Sequence, residues 1–297
     1  MELDRLCKEL EDVFPVKFAR KYEPISFIFP AVNLEARINY KKLYERKFID
    51  ACNGLMVRGA KNVERVFCIV FPSDSILREI ISRCRTGDFI FTHHCCGYDE
   101  TQGFVAVPQE LVEELRARQV SLYSLHIPFD VNSPWSTSVQ LAKAVGIRPE
   151  GEFAAVLDKP SGVFGKTPVD SLNSLAAVVG EVTGSGQVII IANRSNLSVG
   201  KIAVMAGGGG YANLVNDAHR CGCDTYLTGT AVETVEVDAA KEANRRFREK
   251  AAELGINIIG AGHYHTEKVA LEKMTGFFRG LGLFSEFIPE GTDAAKG

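Results

Sequence analysis

Two histidines and two cysteines stand side by side in FTHHCCGYDE, residues 91–100, directly after a short apolar run. The chain has six histidines, at 93, 94, 126, 219, 263 and 265. In GHYHTEKVALE, His263 and Glu267 are four apart, a spacing that brings them near one another on the first turn of a helix that begins at about Tyr264. Neutral imidazole and carboxylate are ordinary ligands for zinc, iron and manganese. With Asp130, which closes SLHIPFD, the set becomes His93, His94, Asp130, His263 and Glu267. Three imidazoles and two carboxylates are many donors for one tetrahedral ion and include no sulfur. They suit two divalent ions per chain, about 3.5–4 Å apart, bridged by a carboxylate or hydroxide. Any single histidine here is more often a hydrogen-bonded packing residue than a ligand, and it is the joint pattern that points to metal. His126 and His265 stand close in sequence to stronger candidates and are read as substrate contacts, partners outside the ligand set, or the general acid and base. His219, in NDAHRCG, falls near a helix C-terminus, where the dipole favours it.

The elements that must position these residues alternate from residue 64. ERVFCIVF reads as a strand, and PSDSILREIISRCRTG as a helix with Ser73 or Asp74 at its N-cap and Gly87 as its stop. DFIFTHH is the next strand, VPQELVEELRARQ a helix opened by Pro108, and VSLYSLHIPFD a strand running into Asp130. A β-α-β-α-β order implies a largely parallel sheet, and ligands bind such sheets beyond the carboxyl ends of the strands. His93, His94 and Asp130 all occupy positions of that kind. Adjacent histidines on a straight strand would face opposite ways, but at a strand end both rings can turn to one cluster. The alternation continues less regularly: EFAAVLD, QVIIIAN, KIAVMA, CDTYLTG and INIIG read as strands, with a helix before the first and after the last and helices between the others, except that QVIIIAN leads to KIAVMA without one. A strand followed by histidines recurs near residues 93 and 263, which hints at two related halves.

Two glycine-rich stretches invite a phosphate reading. GVFGKT at 162–167 looks like a phosphate loop, but the full pattern requires glycine where the chain has Pro160. GGGG at 207–210 follows a strand and precedes a helix, so its amides either face an anion or permit close packing. The eight cysteines are expected to be thiols; Cys7, Cys68 and Cys84 sit in apolar patterns, and Cys95 and Cys96 are left out of the ligand set, with Cys95 the nearer exception.

The 297-residue length fits about two domains on the usual prior. A net charge of −3, from 34 basic and 37 acidic residues, provides no global field for a polyanion, so nucleic acid is not the expected partner. MELDRLCKELEDVF is charged and amphipathic, unlike a signal peptide, and no apolar run reaches the roughly 18–20 residues of a membrane span. The expectation is a soluble, cytoplasmic protein.

The order of these pieces resembles the NGG1-interacting-factor-3-like proteins, whose bacterial members are often named GTP cyclohydrolase I type 2. NGLMV at 53–57 resembles that family's SGLQV signature, FTHH its double histidine, and SLHIPFD its HTNLD, with Asp130 in the aspartate position. GVFGKTPVDSLNSLAAVV is similar to its GRxG segment, and DTYLTG and GAGHYHTE close the pattern. The resemblance runs from about residue 50 to 285 and implies a dinuclear site on His93, His94, Asp130, His263 and Glu267. It also implies two interlinked α/β domains with the metals in the cleft between them, which we place at 1–125 with 265–297 and at 126–264, and a homo-oligomer, often a hexamer. Two stretches depart from the family pattern. CCGYDE follows the double histidine where P-[LI]-x-F is usual, and FPSD at 71–74 stands where VDAT is common. The leading expectation is a metal-dependent hydrolase acting on a small nucleotide-like molecule; the competing one is a metal-stabilised scaffold or regulatory binding protein.

Overall fold

The run DFIFT carries apolar residues on both of its alternating faces, and a strand of that kind must be covered from two sides. In the computed structural model, which describes residues 1–16, 25–156 and 158–291, every residue of that strand is buried. The strands in chain order are β1 (Gly54–Val57), β2 (Arg65–Ile69), β3 (Asp88–Thr92), β4 (Gly97–Asp99), β5 (Gly103–Val105), β6 (Ser121–Ser124), β7 (Arg148–Val156), β8 (Lys159–Lys166), β9 (Ile189–Ile191), β10 (Ile202–Met205), β11 (Thr225–Thr228), β12 (Asn257–Gly260) and β13 (Phe284–Phe287). The fold is mixed α/β. Its described residues divide into two compact units, one within Met1–Phe129 and Leu271–Ala294, the other within Asp130–Ala270.

The first unit holds a five-stranded sheet in the order β1-β6-β3-β2-β13. β13, β2, β3 and β6 run parallel, and β1 pairs antiparallel to β6. The helix Asp74–Arg83 shows how sequence drives the packing: Ile76, Leu77, Ile80 and Ile81 form one buried stripe, and Ser73 stands at the N-cap with extended backbone. That stripe shares a core with Leu111 and Leu115 of the helix Gln109–Ala117 and with Phe67, Ile69, Ile90 and Leu122 of the sheet. On other strand positions Phe91 meets Phe129 and Phe278, with ring centroids 5.8 and 5.5 Å away. Truncating a buried aromatic of this kind to alanine costs about 3–5 kcal/mol, so the central strand is held firmly where it delivers its C-terminal residues.

The second unit holds a six-stranded sheet in the order β7-β8-β10-β11-β12-β9. Only β10, β11 and β12 run parallel; β7, β8 and β9 are joined antiparallel. The parallel pattern expected from the sequence therefore holds for the centre of this sheet and not for its flanks. The hairpin explains one flank: Gly151 lies opposite Phe164 and Phe153 opposite Gly162, and each ring fills the space a glycine leaves. GVFGKT falls on β8, whose residues pair with both β7 and β10, so its backbone is committed to a sheet ladder and not to cradling a phosphate.

None of the eight cysteines forms a disulfide; Cys68, Cys95 and Cys96 are buried and Cys7 and Cys84 half-buried. Among the described residues, no helix is long and apolar enough to cross a membrane.

Candidate metal centre

β3 ends at Thr92, and the two histidines that follow remain tied to the neighbouring strand. The His93 amide donates to Ile69 O at 3.3 Å and the His94 amide to Val70 O at 3.0 Å. The Thr92 hydroxyl lies 3.0 Å from Val70 O and 2.9 Å from His94 O, and Ser124 Oγ donates to His93 O at 3.2 Å. These bonds hold a backbone turn in which the two adjacent rings share one place, their centroids 4.3 Å apart. His126 follows β6, the parallel neighbour of β3, and its amide donates to Asn53 Oδ1 at 2.7 Å. Asn53 sits between Cys52, at φ 50°, and Gly54, at φ 101°, a bend that turns its side chain to this task.

The outcome is one cluster at the carboxyl ends of two parallel strands. Ligand nitrogens of His93, His94 and His126 lie within 4.8 Å of one another, and both His93 and His94 are buried. His93 Nδ1 is 2.9 Å from Leu125 O. A carbonyl only accepts, so Nδ1 carries the hydrogen and Nε2 keeps its lone pair for a Lewis acid. The three histidines form a group that could hold a metal ion.

In the second unit, the helix His263–Gly280 starts at His263. His263 Nε2 and Glu267 Oε1 are 3.0 Å apart across one turn, as the four-residue spacing requires. The glycine loop after β10 closes over this pair. Gly207, at φ +66°, is placed so that a Cβ would run into Glu267 Oε1 and stand 3.2 Å from His263 Nε2. Thr266 locks loop to helix: its hydroxyl accepts from Gly207 N at 2.9 Å and lies 3.0 Å from the carbonyls of both Gly262 and His263. At this loop the glycines serve close approach. His265 is largely buried, and desolvation, with the Lys268 charge second, lowers its pKa below the ordinary 6.5.

Asp130 differs from expectation. The strand stops at Ser124, and Asp130 closes a one-turn helix, Ile127–Asp130. Pro128, which has no amide hydrogen, cannot continue the ladder. Asp130 Oδ1 accepts from Thr137 Oγ1 at 2.6 Å. His126, read from sequence as an outer partner or acid–base group, is the residue gathered with His93 and His94. Cys95 and Cys96 belong to the hydrophobic core, with sulfurs 3.9 Å apart. His219 lies in the last turn of the helix Ala212–Arg220. Sequence reasoning missed the roles of Asn53, Gly207 and Thr266; the asparagine in NGLMV and the glycines in GGGG were visible as motifs but without their partners.

A family model described as Duf34/NIF3 (NGG1p interacting factor 3) matches residues 40–281. The chain belongs to this family. The Duf34/NIF3 chain is 29% identical over 253 residues to a GTP cyclohydrolase 1 type 2 homolog of Haemophilus influenzae, covering 82% of this chain and 90% of the relative. It is 28% identical over 265 residues to the protein of the same name from Escherichia coli K12, covering 88% and 93%. Among solved structures it resembles TTHA1606 from Thermus thermophilus, with a TM-score of 0.65, 21% identity, and coverage of 98% of this chain and 99% of that one. At that identity the structural likeness speaks for the Duf34/NIF3 fold alone.

Proposed function

We propose that this chain binds two divalent ions and hydrolyses a small nucleotide-like molecule. The observation that carries the reading is the set of buried His93 and His94 with half-buried His126, whose nitrogens lie within 4.8 Å of one another, with Nδ1 of His93 tied to a carbonyl. His263 and Glu267 add an imidazole and a carboxylate one helical turn apart. On this reading His93, His94, Asp130, His263 and Glu267 are the ligands, and His126 and His265 are the acid–base candidates, with His126 also able to ligate. Bound ions would supply Lewis acidity toward a carbonyl, imine or phosphoryl oxygen and would make a water more acidic. The chain itself contributes orientation. Leu125 O fixes the His93 tautomer, Asn53 holds the His126 backbone, and Thr266 fixes the turn that presents His263 and Glu267. The nucleotide-like substrate class is supported by the names of the relatives. Assembly as a homo-oligomer, with a hexamer first to test by light scattering, and a cytoplasmic location belong to the same reading.

The test is elemental analysis of protein purified without chelator, followed by turnover of a panel of nucleotides, phosphoesters and cyclic amides. About two ions per chain, with metal and turnover both reduced in His93→Ala and Glu267→Ala, is the expected result. Metal without turnover favours the scaffold reading. A chain that takes up no zinc, iron or manganese on reconstitution defeats both.

A further inference from the structure

Backbone bonds place the Cα of His94, but they do not themselves fix the ring's torsion, which is intrinsically broad for imidazole. Of the rings of Phe71, Phe104, His93 and His126 that border it, that of Phe71 is the one that lies flat against it. Phe71 lies two residues beyond Ile69, which pairs with Thr92 in the parallel β2–β3 ladder, so Phe71 and His94 face each other just past the strand ends. Their rings are stacked, with centroids 4.3 Å apart and planes 11° from parallel. Tyr98 in turn stacks on Phe71 at 5.0 Å and 24°. Phe104, paired with Tyr98 across the β4–β5 hairpin, stands 5.2 Å from the His94 ring. Phe71 and His94 are both about 1% exposed, so this face of the imidazole meets carbon and not water. Phe71 lies in FPSD and Tyr98 in CCGYDE, the two stretches that depart from the family pattern. The departures thus converge on one ring.

We propose that Phe71 is a positioning residue that fixes the plane of the His94 imidazole for metal ligation, with Tyr98 bracing Phe71. The inference rests on the metal reading above. A stacked phenyl removes the torsional freedom that a ligand ring must otherwise lose on binding, so the ordering cost is met in the metal-free fold. A merely structural phenylalanine would act on stability alone. This one acts on affinity and on the ligand field.

Cobalt(II) serves as the probe, since its visible absorption reports geometry, with affinity measured against a competing chelator. Wild type, Phe71→Leu, Phe71→Tyr and Tyr98→Leu are compared, each first melted in chelator to establish that the metal-free chain is folded. Phe71→Leu should bind cobalt about 10- to 100-fold more weakly, the usual cost of losing a residue that orients a ligand, and with an altered spectrum. Phe71→Tyr, which keeps the stacked ring, should restore both readouts, and Tyr98→Leu should move both in the direction of Phe71→Leu by less. A Phe71→Leu protein that binds like wild type, or a Phe71→Tyr protein as weak as Phe71→Leu, overturns the inference alone. If Phe71→Leu does not fold, an unchanged affinity and spectrum in Tyr98→Leu overturns it. Wild type that takes up no cobalt overturns the metal reading and this inference together.

Discussion

His93 gives its Nδ1 hydrogen to the carbonyl of Leu125, 2.9 Å away, and this bond decides which ring nitrogen faces the cluster. The residues are 32 apart in sequence and meet because β3 and β6 are parallel neighbours. The metal-free chain should therefore hold His93 as the Nδ1–H tautomer. Long-range proton–nitrogen correlation spectra of labelled protein read this directly, and an Nε2–H pattern would refute it.

Asn53 accepts from the His126 amide at 2.7 Å and is buried. Asn53→Ala leaves that donor without its partner, which costs about 1–3 kcal/mol. Asn53→Asp keeps an acceptor in the same place and should lose less. Urea unfolding of the three metal-free proteins gives the order; equal midpoints would contradict it.

Gly207 combines a left-handed backbone, φ +66°, with a position where a Cβ would strike the Glu267 carboxylate. The backbone conformation alone costs a non-glycine residue about 1–2 kcal/mol. Gly207→Ala should lower stability by at least that much in chelator and should also weaken metal uptake, since Glu267 must move. Unaltered uptake in a destabilised protein would separate the two effects and remove Glu267 from the ligand set.

Burial, then the charge of Lys268, pushes the His265 pKa below its ordinary 6.5. Between that lowered value and 6.5, the unfolded chain binds a proton that the folded chain does not. Stability of the metal-free protein therefore rises with pH through this window and falls toward acid. His265→Gln should flatten that part of the profile while leaving the slope above neutrality unchanged. Chemical denaturation from pH 5 to 8 measures it, and an undiminished acid slope in the variant would assign the effect elsewhere.

Much of the local structure was legible. Apolar runs rich in β-branched and aromatic residues marked β2, β3, β6, β7, β9, β10, β11 and β12, and the stripe Ile76, Leu77, Ile80 and Ile81 marked its helix, because side-chain pattern reports backbone geometry within a segment. The pairing of His263 with Glu267 followed from spacing alone, since a helix carries residue i onto i+4 whatever surrounds it. The strands β1, β8 and β13 and the hairpin β4–β5 were not legible. β1, β4, β5 and β13 are three or four residues long and are defined by what they pair with, and the glycines of β8 hid an eight-residue strand.

By itself, then, the sequence determined the alternation of strands and helices, the placement of histidines after β3 and β12, and the His263–Glu267 pair. Tertiary structure decided the rest. It gathered His126 with His93 and His94, and placed Asp130 at the end of a short helix, where it accepts from Thr137 Oγ1. It set Asn53 beneath His126 across 73 residues, Thr266 against Gly207 across 59, and Phe71 flat on His94. Those contacts depend on which strands are neighbours and in what register. Strand order is settled by the packing of the whole sheet, and no local period encodes it.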